Sequence, residues 1–95
     1  MAEKTYAVYW SDAPDGHRYA GRIAVRSDYA ELSGSGSGRR SLYRLRFDEI
    51  ASVRYERGRV HVRRRSGEPI WIGSLDGPGA LKELENKLQA ALVPA

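Results

Sequence analysis

Apolar and polar residues alternate along most of this chain with a period of two, the mark of strands with one buried face. In residues 18–26 (RYAGRIAVR), Tyr19, Gly21, Ile23 and Val25 share one face, and Arg18, Ala20, Arg22, Ala24 and Arg26 share the other. Residues 41–47 (SLYRLRF) set Tyr43, Leu45 and Phe47 against Leu42, Arg44 and Arg46. Residues 50–56 place Ala51, Val53 and Tyr55 on one side, and residues 59–65 turn Val60 and Val62 inward and Arg59, His61, Arg63 and Arg65 outward. In residues 69–73, Ile70 and Ile72 oppose Trp71, with Pro69 at the start, where a strand tolerates proline. TYAVYW at 5–10 is a strand by its aromatic and β-branched content. Ser27-Asp28 turns the chain into a further short strand at Tyr29–Leu32.

Turn residues divide these segments. Pro14 and Asp15-Gly16 lie in SDAPDGH, Arg57-Gly58 separates two strands at hairpin distance, and Ser66-Gly67 does the same. The run SGSGSG at 33–38 reads as part of a flexible loop over 33–40, tolerant of insertion, and either native or an engineered graft. Beyond it the period changes once. Leu81, Leu84, Leu88, Ala91 and Leu92 follow the spacing of one helical face, predicting a helix over about 78–92. Asp76 is the expected N-cap, and Pro78 suits the first turn, where its missing N–H costs nothing. A helix of this length is marginal alone, so its leucine face must dock on the strands.

Charge changes the picture more than composition does. The 95 residues carry 13 arginines and 3 lysines, for a net charge of +4, and residues 39–65 alone hold ten arginines against Asp48, Glu49 and Glu56. The middle of the chain is therefore its electrostatic pole, suited to an anion or acidic partner unless the arginines serve only solvation. The absence of cysteine excludes a disulfide scaffold, a thiolate metal site and cysteine catalysis. No apolar run approaches ~18 residues. The N-terminal residues lack the basic-then-apolar pattern of a secretion signal. A cytoplasmic location is expected, with peripheral membrane contact as a further option.

Seven strands followed by one amphipathic helix is the order of the pleckstrin-homology-like (PH-like) superfold, and the chain resembles its small bacterial members. GRIAVRSDYAEL is similar to the second and third strands, FDEIASVRYERGRVHVRR to the acidic turn leading into the fifth and sixth, and GALKELENKLQAAL to the capping helix. The resemblance implies one mainly β domain over 1–95, a seven-stranded β-barrel or orthogonal sandwich closed at one end by the C-terminal helix. It also implies a non-catalytic binding or adaptor module without a cofactor, whose partner is a protein or peptide held along a strand edge or beside the helix. The alternative is an Arg-rich β-barrel that binds nucleic acid or anionic lipid surfaces. Phosphoinositide binding of the superfold's usual kind is disfavoured. The first hairpin carries Asp12 and Asp15, and only His17, Arg18 and Arg22 are basic there.

Catalytic and metal chemistry find little footing. Asp12, Asp15 and His17 sit close in sequence but read as a polar hairpin loop, and His61 alternates with exposed arginines. No nucleophile elbow accompanies a Ser-His-Asp set, and the glycines at 34, 36 and 38 precede no Lys-Ser/Thr and open no helix. We therefore expect neither a catalytic nor a metal site. The candidate ligand site is anionic in preference. In the resembled fold the loops after strands one, three and six gather at the end opposite the helix, which would bring Arg18, Arg39, Arg40 and Arg65 to one rim with His17 beside them.

Overall fold

The inward-facing residues of every segment meet in one core. In a computed structural model, which describes residues 5–11, 18–36, 38–67 and 69–92, the elements follow as β1 (Thr5–Ser11), β2 (Arg18–Val25), β3 (Tyr29–Gly36), β4 (Arg39–Arg46), a 3-10 turn at Phe47–Glu49, β5 (Ile50–Glu56), β6 (Arg59–Arg64), β7 (Ile70–Ser74) and α1 (Pro78–Leu92). All seven strands pair antiparallel in one sheet of order β4-β3-β2-β1-β7-β6-β5. The expectation of two separate sheets meets a difference here. Val8–Ser11 of β1 pairs with Ser74–Trp71 of β7, which joins both halves into one hydrogen-bonded sheet. The free edges β4 and β5 are not paired with each other. The sheet nevertheless curls, and this brings Arg64 at the end of β6 to donate to the Tyr43 hydroxyl on β4. Val8, Ile23, Leu32, Leu45, Val62 and Ile72 are all buried in one cluster with α1.

Two local irregularities put the right side chains in that core. Strict alternation would send Ile50 and Val53 to opposite faces. The pairing of β5 with β6 shifts between Ile50 and Ser52, so a bulge at Ala51 restores the parity and buries both. Ala51, expected on the inner face with Val53, is therefore exposed. The β5–β6 hairpin closes through Arg57 (φ 54°) and Gly58 (φ 75°), the doubly left-handed geometry that matches strand twist in a two-residue turn.

The run at 33–36 is a correction to the sequence reading. Ser33–Gly36 completes β3, paired with β2 on one side and β4 on the other, and Arg39 and Arg40 open β4, so the expected loop over 33–40 shrinks to the tip of a hairpin. The physical reason is bareness, not flexibility. Gly34 lies directly opposite Gly21, and a Cβ at Gly34 would stand 2.2 Å from the Ala20 carbonyl oxygen. A Cβ at Gly21 would stand 2.0 Å from that of Ser33. The strands approach so closely here that only hydrogen fits between them, while Ser33 and Ser35 take the open face.

Helix α1 docks through Leu81, Leu84 and Leu88, all buried. Its start differs from expectation. Leu81 N–H donates to the Gly77 carbonyl (3.3 Å), so Gly77, not Asp76, precedes the first helical residue, and Pro78 occupies the first position. The approach is held by Ser74, whose hydroxyl accepts from the N–H groups of Asp76 (2.9 Å) and Gly77 (3.0 Å). Among the described residues no helix is long and apolar enough to cross a membrane.

Two substitutions test this packing. Leu84→Ala should lower the free energy of unfolding by ~2–5 kcal/mol, the cost of a cavity at a fully buried leucine, measured by urea denaturation. Gly34→Ala should destabilise by ~1–3 kcal/mol because no neighbouring backbone can give way, whereas Ser33→Ala on the open face should stay within about 0.5 kcal/mol.

Candidate functional site

The two edges of the sheet are treated differently by the rest of the chain. In the β5–β6 hairpin the two-residue turn makes Glu56 and Arg59 the bonded pair, so Val53 and Tyr55 turn their backbone polar groups away from β6. Helix α1 meets those groups. The Glu85 carboxylate (Oε2) accepts from the Tyr55 N–H at 3.2 Å, and Gln89 Nε2 donates to the Val53 carbonyl at 2.9 Å. Gln89 also donates to Glu85 at 3.2 Å, which fixes the two side chains as a unit. Part of the β5 edge is thus occupied by side chains of the protein itself.

The β4 edge has no such cover among the described residues, and it is eight residues long. Its charges divide into two groups. Arg44 shares Glu31 with Arg26, at 3.4 and 3.5 Å, and both guanidiniums lie over the Tyr29 ring. Arg46 grips Asp48 with two hydrogen bonds, at 3.3 and 3.0 Å, and this bond and its charge raise the Arg46 pKa above the usual value. Arg39 and Arg40 have no acidic partner among the described residues. As consecutive strand residues they point to opposite faces, so the edge carries a guanidinium on each side. Leu42, 64% exposed, completes the edge. It stands in one cross-strand row with Ser33 and Arg22. With Ser35 and Arg40 these line an open groove of about 850 Å³, floored by Gly21 and Gly34, where the bare strands leave room.

A second open groove, of about 530 Å³, runs over the opposite half of the sheet, bounded by Arg54, His61, Arg63 and Arg65. The predicted rim is therefore distributed. Arg40 lines the first groove and Arg65 the second. Arg18 lies over the Trp71 ring at 5.5 Å. His17 falls outside the described residues. Arg65 is also not at the end away from the helix. Its N–H donates to the Glu49 carbonyl at 2.8 Å, and its side of the fold is shared with Ala91 and Leu92 of α1. The reason is the direction of α1, which runs along β5 from the Tyr55 end, where Leu81 packs, back to Ile50.

What sequence reading missed is which outward residues stand next to each other. Alternation places His61, Trp71 and Arg54 on outer faces, but only register makes them neighbours. His61 pairs with Arg54 on one side and Trp71 on the other. The two-residue turn at Arg57-Gly58 was the available signal for the first of these pairings, since it fixes the register from Glu56–Arg59 as far as Ser52–Arg63, before the bulge.

Comparison with known proteins adds fold alone. No family model and no curated protein matches the chain. A solved structure does: the crystal structure of the C-terminal domain of an unknown protein from Leishmania infantum superposes with a TM-score of 0.66. The two are 11% identical, over 90% of this chain and 82% of that one, so the likeness is one of architecture.

Proposed function

We propose that this chain is a PH-like, non-catalytic binding module that takes an extended acidic peptide as an eighth strand along β4. The observation that carries the reading is the asymmetry of the two edges. An added strand needs a row of backbone donors and acceptors with side-chain contacts for specificity. At β5 part of that row is taken by Glu85 and Gln89. At β4 no described residue takes it, and it is flanked by Leu42, Arg39 and Arg40. We read the curled sheet capped by α1 as the orthogonal sandwich of that superfold, a reading supported by element order and by the Arg64–Tyr43 contact across the curl.

Charge selects the class of partner. Pairing of β4 with β4 of a second copy would set arginines against arginines, which is unfavourable. An acidic strand instead meets Arg40 on one face and Arg39 on the other. The reading as non-catalytic rests on His61, which sits exposed among arginines, and on the open, shallow form of both grooves.

Titration with a synthetic octapeptide alternating glutamate and valine, followed by amide chemical shifts, tests this. Shifts should concentrate in residues 39–46 and in the facing residues of β3, and Arg39→Ala with Arg40→Ala should weaken binding about tenfold or more, as expected for two charge-assisted contacts. Shifts centred on β5 and α1, or none at millimolar peptide, would contradict the assignment.

A further inference from the structure

The Arg-rich outer face of β5, β6 and β7 lies apart from the β4 edge and has a chemistry of its own. Cross-strand pairing sets Arg54, His61, Trp71, Ser11 and Arg18 in one continuous row over five adjacent strands, β5-β6-β7-β1-β2. Four inter-strand steps make that row ~19 Å long. Arg59 and Arg63, two residues either side of His61 on β6, share its face and widen the row into a strip.

Trp71 is the centre of the strip. The Arg59 guanidinium lies 4.2 Å from its ring centroid and that of Arg18 lies 5.5 Å away, while Tyr9 meets it edge-on at 5.9 Å. The ring holds two long cationic side chains in defined places, which reduces what they lose on binding a ligand.

The same fold contains a matched comparison. Tyr29 also holds two arginines, Arg26 and Arg44, and there Glu31 bridges both as an internal counter-ion. At Trp71 no acidic side chain among the described residues forms an ion pair with Arg18 or Arg59, nor with Arg54 or Arg63. In the groove over the β5–β6 end of the strip, Glu56 is the one described acid, beside Arg54, Arg63, Arg65 and His61. Among the described residues, the Tyr29 cluster holds its own counter-ion and the Trp71 cluster does not.

We propose that this strip binds the phosphate backbone of single-stranded nucleic acid. Guanidinium forks suit phosphate oxygens, and a strip of them beside aromatic rings is the arrangement that tracks a strand without reading its sequence. The linear spread of the cations decides against a lipid head group, which occupies one point. A duplex is disfavoured as well, because successive phosphates along one row fit a flexible strand that conforms to the curved sheet.

The test is fluorescence anisotropy with a labelled twelve-residue oligothymidylate over a salt series, with anionic phosphatidylserine vesicles as the competing arm. Neutralising three to four phosphates predicts a log–log salt slope of about −2 to −3. Arg54→Gln with Arg63→Gln should weaken binding at least tenfold and make the slope shallower by about 1.4. Lys82→Gln with Lys87→Gln removes the same charge from α1 and should change neither. Equal losses in the two double variants would show general charge attraction and overturn the site. Binding to the vesicles without binding to the oligonucleotide would overturn it in favour of a membrane, and no oligonucleotide binding at 50 mM salt would overturn it outright.

Discussion

The docking of α1 against the sheet is the interaction on which the remaining features depend. Its leucines complete the core between the two halves of the curled sheet, and its polar shoulder, Glu85 and Gln89, satisfies the backbone of Tyr55 and Val53. Both jobs fall to neighbouring positions on one helical face. A sheet of this length left open at both ends would carry two templates for association. One of them is partly occupied by the helix, and the other is left with arginines and one exposed leucine. The difference between the edges is what turns a small β domain into a surface with a direction.

The close approach of β2 and β3 requires bare backbone. Gly21 and Gly34 supply it, face to face across β2 and β3, at a separation no Cβ would tolerate. The glycines that allow this close approach also floor the groove beside Leu42, so a structural need and a candidate binding surface arise from the same residues. The bulge at Ala51 does a comparable job on the other half, keeping Ile50 and Val53 on one face where simple alternation could not.

Much of this was legible in the order of residues. Period-two alternation located five of the seven strands, residue propensity located β1 and the Ser27-Asp28 turn located the start of β3, while the switch in spacing at Leu81 located the helix, because burial on one face leaves that imprint directly. The errors came where backbone geometry, not burial, decides. SGSG reads as a flexible linker by composition, yet glycine at every second position is itself a strand signal, with one face kept empty. Asp76 has the right chemistry for an N-cap, but the left-handed Gly77 (φ 120°) stands between it and the helix, and Ser74 holds the turn in its place. The arginines of the candidate site were identifiable as a population, while their grouping depended on register. Arg39 and Arg40, adjacent in sequence, flank one edge from opposite faces, and Arg18 joins Trp71 and Arg59 instead of them.

The central claim is that α1 occupies part of the β5 edge, while no described residue takes that of β4. Native-state amide hydrogen exchange tests it most directly, comparing Tyr55 with the β4 amides that face away from β3. Closure by Glu85 predicts that Tyr55 exchanges only through large-scale opening, that Glu85→Ala removes this protection, and that the outward amides of β4 exchange freely throughout. A Tyr55 amide that exchanges as fast as those of β4 in the unmodified protein would contradict it.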